Sequence, residues 1–137
     1  MPVKAIARGV KISPRKAGVV AALVRGRTVS DAITILDHTP RRAAIPVRKV
    51  INSAKANADY NHGYKPESLQ IVSISVTPGP RFKRYRPAAM GRALPYQNKT
   101  SHITVIVDGE KRAPKKVPKK AEMPKTAKNE PKKEEAK

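Results

Sequence analysis

The chain has no cysteine, no tryptophan and a single phenylalanine among its 137 residues, and it carries 10 carboxylates against 30 lysines and arginines. Without cysteine there are no disulfides and no thiolate metal sites, although this leaves the compartment open. The longest wholly apolar run, residues 19–24, is six residues, far short of the roughly 20 that a membrane-spanning helix needs. No segment pairs a basic face with a bulky apolar one, so a membrane-surface helix is also disfavoured. What is abundant is positive charge. A formal net charge of +20 and a pI near 10.7 mean that an extensive partner should be a polyanion, and nucleic acid is the candidate left standing. The start, Met1-Pro2-Val3-Lys4, lacks the charged-then-apolar pattern of a secretory signal, so a cytoplasmic location is expected.

Composition divides the chain near Glu110. Residues 111–137 are Lys, Pro, Ala and Glu with almost nothing to bury, and are expected to form a disordered tail, either solvated or in loose contact with phosphates. Residues 1–110 are patterned as one domain. Residues 3–12 alternate in part, with Val3, Ala5 and Ala7 on one side, as an edge strand would. Ser13-Pro14 opens a first helix, with Ser13 able to cap and Pro14 at a position where a missing N–H costs nothing; Ala17, Val20, Leu23 and Val24 follow at helical spacing, and Gly26 ends it. A short second helix starts at Thr28-Val29-Ser30-Asp31, with Ala32, Ile33 and Leu36 as its stripe. A third opens at Thr39-Pro40, with Ala43, Val47, Val50, Ile51, Ala54 and Ala58 in phase; Pro46 predicts either a kink in the first turns or a delayed start. The period then falls to two. Val72, Ile74 and Val76 are expected to share a face of one strand, and Ile103, Val105 and Val107 a face of another. The fold class that follows is α+β, three helices packed on a small antiparallel sheet, with a long protruding basic β-hairpin.

That hairpin, residues 78–102, is where function is expected. Residues 78–100 hold six basic residues, and no carboxylate occurs anywhere in 68–107 to neutralise them. An arm of about ten residues out and ten back would reach roughly 30 Å at ~3.3 Å per residue, too far to bury itself on its own domain. Arg81, Lys83, Arg84, Arg86 and Arg92 suit phosphates, whereas Phe82, Tyr85 and Tyr96 offer flat faces for unpaired bases. Ala88, Ala89, Gly91 and Ala93 are small enough for the backbone to approach a crowded surface. Lys99-Thr100-Ser101-His102 closes the arm and is read as a strand start with polar groups meeting RNA. Arg15 and Lys16, on the first helical turn, form a second cluster where backbone N–H groups attract phosphate. Arg41, Arg42, Arg48 and Lys49 are equally well explained as a solvated face of the third helix.

Catalysis is disfavoured. His38, His62 and His102 have no metal-ligand spacing, so neither a metal nor another cofactor is expected. Ser101-His102 places its two side chains on opposite faces of a strand and lacks the glycine-flanked turn of a nucleophile; there is no phosphate-binding glycine loop.

Four stretches taken together carry a family likeness: Ser13-Pro14-Arg15-Lys16-Ala17 leading to Leu23-Val24-Arg25-Gly26; Lys49-Val50-Ile51-Asn52-Ser53-Ala54 with Ala56-Asn57-Ala58; Gly79-Pro80 with Lys83-Arg84; and Lys99-Thr100-Ser101-His102-Ile103-Thr104-Val105. In this order and spacing the chain resembles the bacterial form of the large-subunit ribosomal protein L twenty-two family, over about residues 3–108. The resemblance implies a structural protein that binds several domains of large-subunit rRNA, supports assembly, sits beside other ribosomal proteins without forming a homo-oligomer, and lines the nascent-peptide exit tunnel with its hairpin. By position, Arg86, Pro87, Ala88, Ala89, Met90, Gly91, Arg92 and Ala93 fall at the tunnel tip. The chain departs from the family pattern at Ala88, where arginine is common, and along Leu94-Pro95-Tyr96-Gln97-Asn98, which is less basic. A basic arm with a Pro near its tip would also suit a DNA-bending architectural protein, which normally dimerises through an extensive apolar interface.

Overall fold

The computed structural model describes residues 2–112. The expected tail from residue 113 onward lies outside the described residues. In chain order the elements are β1 (Val3–Val10), α1 (Pro14–Val24), α2 (Val29–His38), α3 (Ala44–His62), β2 (Gln70–Pro87), one turn of 3₁₀ helix (Ala89–Gly91) and β3 (Ala93–Asp108). The fold is α+β. Its sheet is antiparallel in the order β1-β3-β2, with β3 central.

Alternation on β3 builds the core. Ile103, Val105 and Val107 point to one face, and each is met on both sides: Ala7 and Val76 flank Ile103, Ala5 and Ile74 flank Val105, Val3 and Ile71 flank Val107. The small Ala5 and Ala7 leave room for α3, which packs over β1 and β3 through Val47, Val50, Ile51, Ala54 and Ala58, all buried. α1 lies on β2. The centre is aliphatic, and the one aromatic side chain within it is Tyr64. Tyr64 follows Gly63, whose left-handed φ of 64° closes α3, with the Tyr64 N–H donating to the Ala58 carbonyl. Burial raises the Tyr64 hydroxyl above the ordinary tyrosine range, and the charge of Asp108 and a hydrogen bond to it push the same way.

Several expectations shift by a residue or a turn. In α1 the buried set is Ala17, Val20, Ala21 and Val24, so Leu23, expected inside, is exposed and Ala21 takes its place. Spacings of three, four and seven from Ala17 define the stripe, and Leu23 falls to its side. Ser13 starts α1 with its carbonyl, accepting from the Lys16 and Ala17 N–H groups, but its hydroxyl makes no cap bond. Thr28 does cap α2, accepting from the Asp31 N–H while donating to Asp31 Oδ2. Thr39-Pro40 does not open α3. The Thr39 hydroxyl donates back to the Ile35 carbonyl and finishes α2, and α3 starts at Ala44. The start is therefore delayed, and Pro46 falls in the first turn, where its missing N–H would have no helical partner.

In β2 the face expected of Val72 belongs to Ile71. A bulge between Ile71 and Ser73 makes Val72 the extra residue, so it is exposed while Ile71 and Ile74 are buried. Residues 111 and 112 also contact the domain. Lys111 bridges Tyr64, the Arg112 N–H donates to the Gly63 carbonyl at 2.7 Å, and its guanidinium meets Asp59 at 3.2 Å.

Candidate nucleic-acid interface

Past Pro78 and Ser101, β2 and β3 leave the core but stay paired, from Arg81 opposite Lys99 to Pro87 opposite Ala93. Every residue from 80 to 99 is exposed except the half-buried Ala88. Directly opposed residues share a face of a β-ribbon, so the register sorts this segment into two surfaces. One carries Phe82, Arg84 and Arg86 with Leu94, Tyr96 and Asn98; the other carries Arg81, Lys83 and Tyr85 with Pro95, Gln97 and Lys99. Each side thus presents both cations and an aromatic ring. A ribbon lying on a single partner would need one such side.

Charge on this segment is not compensated from within. Among the described residues these carboxylates are engaged elsewhere: Asp37 pairs with Arg48, Asp59 with Arg112, Glu110 with Lys65, Asp31 with Thr28, and Asp108 accepts from the Gly109 N–H. The aromatics are also distributed unusually. Phe82, Tyr85 and Tyr96 are 48, 69 and 45% exposed, so three of the chain's five aromatic side chains are on the ribbon rather than in the core.

The base of the ribbon is built by two bulges around His102. On β1, Gly9 at φ 69° supplies a bulge between Ala7 and Val10, and its N–H donates to His102 Nδ1 at 3.0 Å. On β2 a second bulge falls between Pro78 and Arg81. There Gly79 lies against β3 so closely that a methyl group in its place would sit 2.5 Å from Thr100 Oγ1 and 3.3 Å from His102 Nε2. The Thr100 hydroxyl cannot easily swing away, because it donates to the Pro80 carbonyl at 2.7 Å. Gly79→Ala should therefore destabilise the domain by about 1–3 kcal/mol through overpacking. Chemical denaturation checks this, and adding Thr100→Ala should recover part of the stability in a double-mutant cycle.

Thr100 and Ser101 are buried, and His102 is half-buried with one ring nitrogen committed to Gly9. Thr100 and Ser101, expected among the RNA-contacting residues, lie at the junction where the ribbon joins the core. Among the described residues the buried Ser101 Oγ has no hydrogen-bond partner. Arg81, Lys83, Arg84, Tyr85, Arg86, Arg92 and Lys99 are all exposed, as are Arg15 and Lys16 on the first turn of α1. At the tip the Ala88 N–H donates to the Arg92 carbonyl, and the reversal uses two consecutive left-handed residues, Met90 at φ 59° and Gly91 at φ 67°. Met90 is 92% exposed there, an uncommon backbone setting for a side chain other than glycine.

The structure also assembles a groove that the sequence does not announce. About 900 Å³ in volume, it runs between the start of α1, the α2–α3 loop and the base of the ribbon. Lys11, Lys16, Arg41, Arg42, Arg84 and Lys99 line it, with no carboxylate among the lining residues. Arg41 and Arg42 belong to the loop before α3 rather than to the helix itself, and Arg48 is set apart from them by its pairing with Asp37. Lys11 is missed by the sequence reading, although its position two residues before Ser13-Pro14-Arg15-Lys16 is the signal that could have found it. Among the described residues no group of His, Asp and Glu side chains could hold a metal ion, and no helix is long and apolar enough to cross a membrane.

The family model for ribosomal protein L22p/L17e matches residues 5–108, which spans the sheet, the helices and the whole ribbon. The large ribosomal subunit protein uL22 of Clostridioides difficile (strain 630) is 50% identical over 111 residues, covering 81% of this chain and 100% of that protein. The protein of the same name from Desulfitobacterium hafniense (strain DSM 10664 / DCB-2) is 53% identical over 104 residues, 76% of this chain and 91% of that one. With the match running from the first strand to the last, the chain belongs to the ribosomal protein L22p/L17e family, a family of structural proteins and not of enzymes.

Proposed function

We propose that this protein is a structural component of the large ribosomal subunit that binds large-subunit rRNA, with the ribbon of residues 78–102 inserted into the RNA and the globular domain seated against its surface. The supporting observation is the distribution of cations on both faces of a ribbon that has no carboxylate partner among the described residues. A polyanion on one side would leave half of these charges unmatched; RNA packed around the ribbon meets them all. A two-stranded ribbon is marginal in water by itself, so the same RNA would also supply its stability.

Within that placement Arg81, Lys83, Arg84, Arg86, Arg92 and Lys99 contact phosphates, Tyr85 stacks or hydrogen-bonds, and Arg15 and Lys16 hold a second RNA segment at the domain. The tip, from Arg86 and Pro87 through Ala88, Ala89, Met90 and Gly91 to Arg92 and Ala93, lines the exit tunnel beside the nascent peptide. Contacts with several rRNA domains and with neighbouring large-subunit proteins give the protein a part in assembly, and it works without a cofactor.

Ultraviolet crosslinking of the full chain in cell extract, followed by sequencing of the attached nucleic acid, tests the reading. Large-subunit rRNA is the expected product. Recovery of DNA instead would favour an architectural DNA-binding role and overturn this one.

A further inference from the structure

The groove at the base of the ribbon contains a group that phosphate binding does not explain. Phe82 is the one arm aromatic without a polar atom, and it is the only phenylalanine in the chain. It lines the groove and is 48% exposed, while the aliphatic core closes without it. Directly opposite it across the ribbon is Asn98, which lines the groove too. Cβ atoms of such opposed pairs lie about 4.5–5.5 Å apart, so a flat apolar face and a neutral amide, donor and acceptor at once, stand side by side. Around them are the six cations of the groove.

Resting on the reading that this basic surface meets RNA, the geometry points to a seat for one looped-out nucleotide, its base stacked on Phe82, its edge within reach of Asn98, and its flanking phosphates held by Lys16, Arg41, Arg42 and Lys99. A base inside a duplex has both faces covered by its neighbours and could not use the ring, whereas an unpaired base can be splayed onto it. At about 900 Å³ the groove lies in the size range of pockets that enclose a small molecule, ample for one nucleotide. Stacking on an aromatic face tolerates any base, so the seat recognises the looped-out state more than its sequence.

The test compares binding of the purified full chain to a fully paired RNA hairpin and to the same hairpin carrying one looped-out nucleotide, at fixed salt. Phe82→Leu keeps an apolar side chain but removes the flat face, and should weaken binding to the looped-out RNA roughly five- to a hundredfold while changing binding to the paired RNA less than about twofold. Phe82→Trp should retain the preference. Because the chain has no other tryptophan, its indole would report directly, with fluorescence quenched by the looped-out RNA and not by the paired one. Equal effects of Phe82→Leu on both RNAs, or no effect on either, would overturn the nucleotide seat. If Lys16→Ala with Arg41→Ala still weakened both RNAs alike, the groove would be a phosphate cleft and the wider RNA-binding reading would survive. Failure of the wild-type chain to bind either RNA would remove that reading and the seat together.

Discussion

Reversing the charge of Arg84 and Arg92 together should sharply reduce incorporation of this protein into large subunits without unfolding it. Arg84 lies opposite Tyr96 midway along the ribbon, and Arg92 sits just past the tip reversal, so the pair samples two separate stretches of the proposed RNA environment. Both are exposed, and neither forms an ion pair among the described residues. Surface substitutions of this kind usually change stability by less than about 0.5 kcal/mol. Removing one phosphate partner should lower the slope of log affinity against log salt by about 0.7–0.9, so a double reversal should lower it by roughly 1.5. Repulsion of phosphate by the new carboxylates acts in the same direction, and the affinity for rRNA at moderate salt should fall by one to two orders of magnitude, about 1.4–2.8 kcal/mol. Sedimentation of tagged protein with large subunits, together with a thermal melt of the free protein, checks both halves. Normal incorporation of the double variant would count against the inserted ribbon.

The opposite outcome is expected in the core part of β3. Ile103→Ala should cost about 2–5 kcal/mol of folding stability. Ile103 is fully buried on the central strand, where it meets Ala7 and Val76 through the sheet and faces the helices. Neither flanking strand can close the space left behind, because both are held in register by backbone bonds to β3. Set against a total of roughly 5–15 kcal/mol for a domain, the effect is large. Urea denaturation should show a lower midpoint with an unchanged slope, the sign of reduced stability at unchanged compactness. At temperatures well below its melt this variant should still bind RNA, since no phosphate partner is touched. β3 therefore performs two tasks in sequence along one element: residues 93–99 face outward and carry the proposed RNA contacts, and Ile103, Val105 and Val107 hold the domain together.

The core of β3 and the stripe of α3 can be read directly from the chain because each depends on local period alone. Ile103, Val105 and Val107 alternate without interruption, and Val47, Val50, Ile51, Ala54 and Ala58 repeat at helical spacing through to Gly63. Val72 misleads for the same reason in reverse. Period two assumes a regular strand, and the bulge at Ile71 and Ser73 is decided by how β2 must pair with β3 across some thirty intervening residues. Ala21 and not Leu23 is buried because the helix's apolar stripe runs through Ala17, Val20, Ala21 and Val24, and which side faces the core is decided by what packs against α1.

The sequence by itself determined the chemistry of this protein: an excess of cations, a carboxylate-free stretch from 68 to 107, aromatics placed among arginines, and a helix–strand order that leaves one small aliphatic core. These are properties of composition and spacing, and no folding event can alter them. Only the tertiary structure decided which charges act together. Lys11, Lys16, Arg41, Arg42, Arg84 and Lys99 come from separate segments, and they share a groove because the strand pairing and the packing of α1 and α3 on the sheet bring those segments to one side. It also decided that Thr100 and Ser101 are withdrawn from the surface, since burial depends on what packs over a residue and not on its own polarity.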